Sequence, residues 1–118
     1  MKSTDAILAL SSLAQTTRLE VFQLLVRHEP HGVAAGDLAR ELAVPPNTMS
    51  THLAILTRAG LVESRRESRS IIYRANLERL REMTLFLAAD CCGGRPELCA
   101  PLVADLIPCC SSKENAHA

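Results

Sequence analysis

Apolar residues recur along the first sixty positions at helical intervals, after which the period shortens. Asp5 to Ala14 is almost wholly apolar (Ala6, Ile7, Leu8, Ala9, Leu10, Leu13). On a helix that leaves little polar face and predicts burial on two sides. A chain of 118 residues has too small a core to cover both sides, so a second subunit is the expected cover. Thr16 or Thr17 is placed to cap a second helix carrying Leu19, Phe22, Leu24, Leu25 and Val26. It fades at Arg27-His28-Glu29-Pro30, because a residue before proline avoids the helical region. His31-Gly32 reads as loop. A short third helix fits Ala35 to Leu42, with Leu38 and Leu42 one turn apart, and Ala43-Val44-Pro45-Pro46 then turns the chain. Asn47 is the expected cap of a fourth helix ending near Ala59, with Met49, Leu53 and Leu56 on one face and Gly60 as its stop.

Beyond Gly60, Leu61 to Arg66 and Ser70 to Arg74 predict two short strands, joined through Glu67-Ser68-Arg69 as a hairpin. A fifth helix is expected over about Leu77 to Cys91, its broad apolar face built from Leu80, Met83 and Leu87. Gly93-Gly94 supplies a left-handed stop and Pro96 bars the helix from resuming. A last short helix is expected from about Cys99-Ala100-Pro101 to just before Pro108, and Ser111 to Ala118 reads as a disordered tail. The expected fold is mainly α with a small β-hairpin. It is organised as residues 1–92, a cysteine-bearing extension over residues 93–110, and a tail over residues 111–118.

Composition narrows this picture. An apolar fraction of 47% with one Tyr, two Phe and no Trp implies an aliphatic core. The first residues lack the basic and apolar regions of a secretory signal, and no apolar run approaches the roughly 20 residues that span a bilayer. A soluble, cytoplasmic protein with no membrane partner is expected. Net charge is zero, yet between Arg58 and Arg81 seven arginines face three glutamates. Such a stretch can meet a polyanion, or it can be an ordinary solvated face.

Two short helices joined by a tight turn and followed by a basic hairpin form a winged helix-turn-helix arrangement. In it the second helix enters the major groove of DNA and the wing follows the backbone. Asn47, Thr48, Ser50 and Thr51 are small hydrogen-bonding groups near that helix's N-terminus, suited to base edges or phosphate, although Asn47 and Thr48 also suit a plain helix cap. His52 can touch phosphate, pack inward or face solvent. Arg65, Arg66 and Arg69 are the wing candidates for phosphate or minor-groove contact.

Four segments in order carry a family resemblance: Leu10-Ser11-Ser12-Leu13-Ala14-Gln15-Thr16-Thr17-Arg18-Leu19, Asp37-Leu38-Ala39, Ser50-Thr51-His52-Leu53-Ala54-Ile55-Leu56-Thr57-Arg58-Ala59-Gly60-Leu61-Val62, and Arg65-Arg66-Glu67-Ser68-Arg69-Ser70-Ile71-Ile72-Tyr73. Over residues 5–90 the chain resembles the ArsR/SmtB family of metal- and metalloid-responsive repressors. The resemblance implies a homodimer formed through the first and fifth helices. It further implies binding to double-stranded operator DNA at two half-sites about one helical turn apart, and release when an inducer binds. Two known sensor sites of the family are missing. The segment before Asp37-Leu38 is Val33-Ala34-Ala35-Gly36 with no cysteine, and Leu77 to Asp90 has no histidine. The wing turn has Ser68 where glycine is common.

All five cysteines follow residue 90: Cys91-Cys92, Cys99 and Cys109-Cys110. In a reducing compartment such clusters suit metal or redox chemistry better than a disulfide framework, and soft thiolates select soft ions. Arsenite has three exchangeable oxygens, so Cys91, Cys92 and Cys99 are the expected ligands for As(III), with Sb(III) chemically similar. Members of the resembled family with a vicinal pair plus a downstream cysteine point the same way. Cys109 and Cys110 are an accessory pair that can replace Cys99, bind methylarsenite or scavenge metal. Zinc is disfavoured because adjacent cysteines resist joint tetrahedral ligation. Cadmium or lead sensing and thiol redox sensing remain the alternatives. Cys91 and Cys92 lie at a helix C-terminus, where the dipole opposes thiolate, whereas Cys99 lies near a helix start. No cofactor motif, phosphate-binding glycine loop or base beside a thiol supports an enzyme.

Overall fold

The computed structural model describes residues 1–91 together with Arg95, Glu97, Ala100, Pro101, Ala104 and Asp105. Its elements are α1 (Ser3–Leu13), α2 (Thr16–Arg27), β1 (Val33–Ala34), α3 (Ala35–Glu41), α4 (Pro46–Arg58), β2 (Val62–Glu67), β3 (Ser70–Ala75) and α5 (Leu77–Cys91). The chain divides into two compact units, Met1–Met83 and Thr84–Ala118. Ala100, Pro101, Ala104 and Asp105 are helical. The rest of the predicted last helix, the Gly93-Gly94 stop and the tail lie outside the described residues.

The core of the first unit is aliphatic. Val21 and Leu25 of α2, Leu38 of α3, Met49, Leu53 and Leu56 of α4, and Leu61 and Val62 at the base of the hairpin are its largest fully buried side chains. Each such side chain contributes about 1.5–3 kcal/mol by leaving water. On α1 the buried residues are Ala6, Ala9 and Ser12, while Ile7, Leu8 and Leu10 stay exposed. The expected second apolar face is therefore present and open.

Both predicted helix caps shift. The cap of α2 is Gln15, in extended conformation, whose Oε1 accepts from the Arg18 amide at 2.8 Å, not Thr16 or Thr17. Helix α4 begins at Pro46 after Pro45, so Asn47 lies inside the first turn and caps nothing. Proline suits this first position because its fixed φ is helical and its missing N–H would have no intrahelical partner there. Asn47, relieved of capping, is exposed.

The wing is a sheet of three strands in the order β1-β3-β2, all antiparallel. Hairpin pairing runs from Val62 opposite Ala75 to Glu67 opposite Ser70, which leaves the two-residue loop Ser68-Arg69. Ser68 adopts φ 58°, the conformation glycine would take most easily. The predicted hairpin is present; β1, at positions to which the sequence reading assigned no element, pairs Val33 with Tyr73 and Ala34 with Ile72. Gly32, at φ +83°, makes this approach feasible, since a Cβ there would sit 2.6 Å from the Tyr73 carbonyl oxygen. Arg74 of β3 reaches back to Glu29 beyond α2, with Nη2 to Oε1 at 2.8 Å and Nε to Oε2 at 3.2 Å. This two-pronged hydrogen bond, followed by the Coulombic attraction of the same guanidinium, holds the Glu29 carboxyl below its ordinary pKa against the opposing effect of burial.

Two stability experiments follow from these contacts. Gly32→Ala should cost more than Gly60→Ala. Both residues have left-handed backbones, which alone cost an alanine about 1–2 kcal/mol, but the new Cβ at residue 32 meets backbone whereas at residue 60 it meets only the movable end of Arg79. Urea unfolding at fixed protein concentration should show that order, and equal losses would contradict it. Because Glu29 has a lower pKa folded than unfolded, its contribution is complete above the ordinary carboxylate pKa and disappears as pH falls through the depressed folded value. Glu29→Gln should therefore destabilise the protein at pH 7 and flatten the acid limb of its stability profile; an unchanged acid limb would remove the pair from the account.

Candidate nucleic-acid interface

Helix α4 spans 13 residues, about 20 Å at 1.5 Å per residue. Met49, Leu53 and Leu56 recur at helical spacing and are buried, which turns the opposite side outward. Pro46, Asn47, Thr48, Ser50, Thr51 and Ala54 are all exposed. The expected polar contacts Asn47, Thr48, Ser50 and Thr51 thus share one accessible surface at the N-terminal end, where free amide groups also favour phosphate. The Thr51 hydroxyl donates to the Asn47 carbonyl at 3.3 Å, leaving its oxygen able to accept.

The far end of α4 is pinned by Asn76. Its Nδ2 donates to the Gly60 carbonyl at 3.0 Å, its Oδ1 accepts from the Arg79 amide at 3.1 Å, and its own amide donates to the Leu61 carbonyl at 2.8 Å. One side chain therefore closes the turn after α4 and opens α5. Sequence reading identified Gly60 as a stop but missed Asn76, although Asn directly before an apolar helical run is a cap signal.

His52 is half-buried, with Nδ1 3.4 Å from Arg18 Nη1. Burial first, and the Arg18 charge second, hold its pKa below the ordinary imidazole value. Of the expectations for His52, packing accounts for the Nδ1 side of the ring.

The wing sorts its arginines. Arg65 Nε donates to Glu67 Oε2 at 3.0 Å and its Nη2 to the His31 carbonyl at 3.4 Å. Arg74 is held by Glu29, Arg79 by Glu82 and Arg81 by Glu78. Arg58, Arg66 and Arg69 have no ion-pair partner among the described residues. The local cationic excess therefore resolves into a few uncompensated charges, with Arg66 near the end of β2 and Arg69 in the loop. The Arg65–Glu67 pair is exposed, and such pairs are worth about 0–1 kcal/mol, so a phosphate can compete for Arg65.

The predicted thiol ligands are only partly visible. Cys91 is the last residue of α5; Cys92, Cys99, Cys109 and Cys110 lie outside the described residues. Among the described residues no three His, Cys, Asp or Glu side chains converge on a metal-sized site, and no helix is long and apolar enough to cross a membrane.

Comparison with known proteins agrees with this geometry. Residues 13–65 match a helix-turn-helix domain family. The chain is 30% identical over 81 residues to the transcriptional activator HlyU of Vibrio cholerae serotype O1, covering 69% of this chain and 72% of HlyU. An ArsR-like transcriptional regulator from Rhodococcus sp. RHA1 superimposes with a TM-score of 0.68 at 28% identity, over 82% of this chain and 89% of that one. The crystal structure of a possible transcriptional regulator for arsenical resistance gives a TM-score of 0.59 at 31% identity, over 82% of this chain and 94% of that one. With its exposed recognition helix and basic three-stranded wing, the chain belongs to the ArsR-like family of winged helix-turn-helix transcriptional regulators, DNA-binding proteins rather than enzymes.

Proposed function

We propose that this regulator is an arsenic(III)-responsive repressor that holds its operator as a homodimer and releases it when C-terminal thiolates ligate As(III) or Sb(III). The observation that carries the proposal is a division within one chain: every cysteine follows residue 90, and the helix-turn-helix and wing elements, α3 to β3, lie within the first ninety residues. The likeness to a possible regulator for arsenical resistance supports the choice of ligand. In this reading Asn47, Thr48, Ser50 and Thr51 meet base edges or phosphate, and Arg65, Arg66 and Arg69 meet the backbone beside them. Cys91, Cys92 and Cys99 each replace one hydroxyl of arsenous acid, giving three As–S bonds and three waters with no change of oxidation state. Cys109 and Cys110 supply an accessory dithiol for methylarsenite. Release requires tighter ligation in the weak-binding form, and a typical coupling of about 1–3 kcal/mol changes operator affinity about 5- to 150-fold.

Fluorescence anisotropy of the reduced protein on DNA from upstream of its own gene, titrated with arsenite and with zinc, tests this reading. Arsenite should release the DNA and zinc should not; Cys91→Ser and Cys92→Ser should bind DNA normally yet ignore arsenite. Full inducibility of either variant would move the site elsewhere. Release by a disulfide-forming oxidant, reversed by dithiothreitol and absent with arsenite, would favour the redox alternative.

Dimerisation through α1 and α5 is supported by Ile7 at 64%, Leu8 at 41% and Leu10 at 39% exposure on α1, and by exposed Leu77 and Leu85 on α5. Ile7→Glu with Leu10→Lys should give a monomer in sedimentation velocity, with the helical circular dichroism retained and operator affinity at least about tenfold weaker. A dimer that survives both changes would place the interface on another face.

A further inference from the structure

His52 is not explained by the polar face of α4. It lies one turn beyond Thr48 and next to Thr51, half-buried where α2 meets the recognition helix. Its partner Arg18 is fixed from two directions: Nε donates to the Ser12 carbonyl of α1 at 2.6 Å, and Nη1 lies 3.4 Å from His52 Nδ1. A guanidinium has five N–H groups and no acceptor, so His52 Nδ1 must accept and the ring proton must sit on Nε2. The lowered pKa of His52 agrees with a neutral ring, and Arg18 is the charged group that bears on it among the described residues. Two of the Arg18 N–H groups are engaged; the others, and His52 Nε2–H, have no partner among the described residues. Arg18 also has no carboxylate partner there. A cation and a neutral donor therefore stand together, half-withdrawn from water and without an anion, at the edge of the surface that faces DNA.

We propose that Arg18 and His52 form a clasp for one phosphate of the operator backbone, with the Arg18 guanidinium and His52 Nε2–H as its donors. The clasp rests on the reading of α4 as the helix that meets DNA. It would brace α4 from the α1–α2 corner, as the wing does from the hairpin, and fix the helix's depth in the groove. Phosphate suits the site because a planar guanidinium offers parallel N–H groups to its oxygens, and the Ser12 anchor sets the plane before DNA arrives. Base reading is not expected of either residue, so the clasp should strengthen binding to all sequences alike.

The test is operator affinity of the reduced full-length protein across a salt series. Neutralising one phosphate contributes about 0.9 to the slope of log affinity against log salt. Arg18→Gln should therefore flatten the slope by about 1 per subunit, or about 2 for a dimer on two half-sites, and weaken binding at low salt about tenfold or more. Arg18→Lys keeps the charge and loses the planar fork, so it should bind less tightly with the slope nearly intact. His52→Ala should weaken binding with little change of slope, and its effect should shrink in the Arg18→Gln background. Suppose instead that Arg18→Gln and Arg18→Lys lose affinity equally, in step with their melting temperatures, and both keep the wild-type slope. Arg18 would then only tie α1 to α4, and the clasp would be overturned. Asn47→Ala and Thr48→Ala separate the two levels. If they weaken binding while Arg18→Gln does not, the clasp alone is wrong; if they too leave affinity unchanged, the reading of α4 fails and the clasp with it.

Discussion

The burial of Met49, Leu53 and Leu56 is the constraint on which the reading surface depends. These three side chains lock the rotation of α4 about its own axis, and the fully buried Leu25, Leu38 and Leu61 complete the core they join. A helix advances 100° per residue, so any roll that exposed Leu53 would carry Asn47, Thr48 and Thr51 off their common outward face. At about 1.5–3 kcal/mol for each buried side chain, the apolar stripe outweighs the exposed ion pairs around it, each worth about 0–1 kcal/mol. The roll of α4 is thus set by its apolar stripe, which leaves Asn47, Thr48, Ser50 and Thr51 exposed.

Rotation alone does not aim a helix; its ends must also be fixed. At the C-terminal end, Asn76 joins the Gly60 carbonyl to the first turn of α5 with a single amide group. Nearer the N-terminal end, Arg18 carries the Ser12 carbonyl of α1 to within reach of His52. The wing is held at its base by Glu29 and Arg74 and along its edge by β1. Asn76 and Arg18 do this by bonding backbone groups, Glu29 and Arg74 by pairing with each other, and β1 by strand pairing. Apolar packing sets which face is shown, and these bridges set where it is shown.

The same distinction explains what the sequence could tell. Helix α4, its buried stripe and its polar face were legible because they follow from spacing within a dozen residues, and the hairpin was legible because its alternation is equally local. Strand β1 was not. Two residues carry no period, and Val33 is extended because Tyr73, forty positions later, is opposite it. The Arg18–His52 and Glu29–Arg74 contacts span 34 and 45 positions and leave no local mark. For that reason the arginine excess of residues 58–81 looked larger than the free charge the fold leaves there. The misplaced caps are a different case. Thr16, Thr17 and Asn47 are all good capping residues, but the helices begin one step away, where Gln15 accepts an amide hydrogen bond and Pro46 has none to donate.

Net neutrality is compatible with DNA binding once these pairings are counted. Carboxylates pair with Arg74, Arg79 and Arg81, while Arg58, Arg66 and Arg69 have no ion-pair partner among the described residues, so the potential that meets a phosphate depends on where the unpaired groups lie rather than on the total. Cysteine is partitioned along the chain. Not one of the first ninety residues is cysteine, so no thiophilic ion can bind a thiolate in the core, on α4 or on the wing. An inducer that binds cysteine must therefore bind at or beyond residue 91.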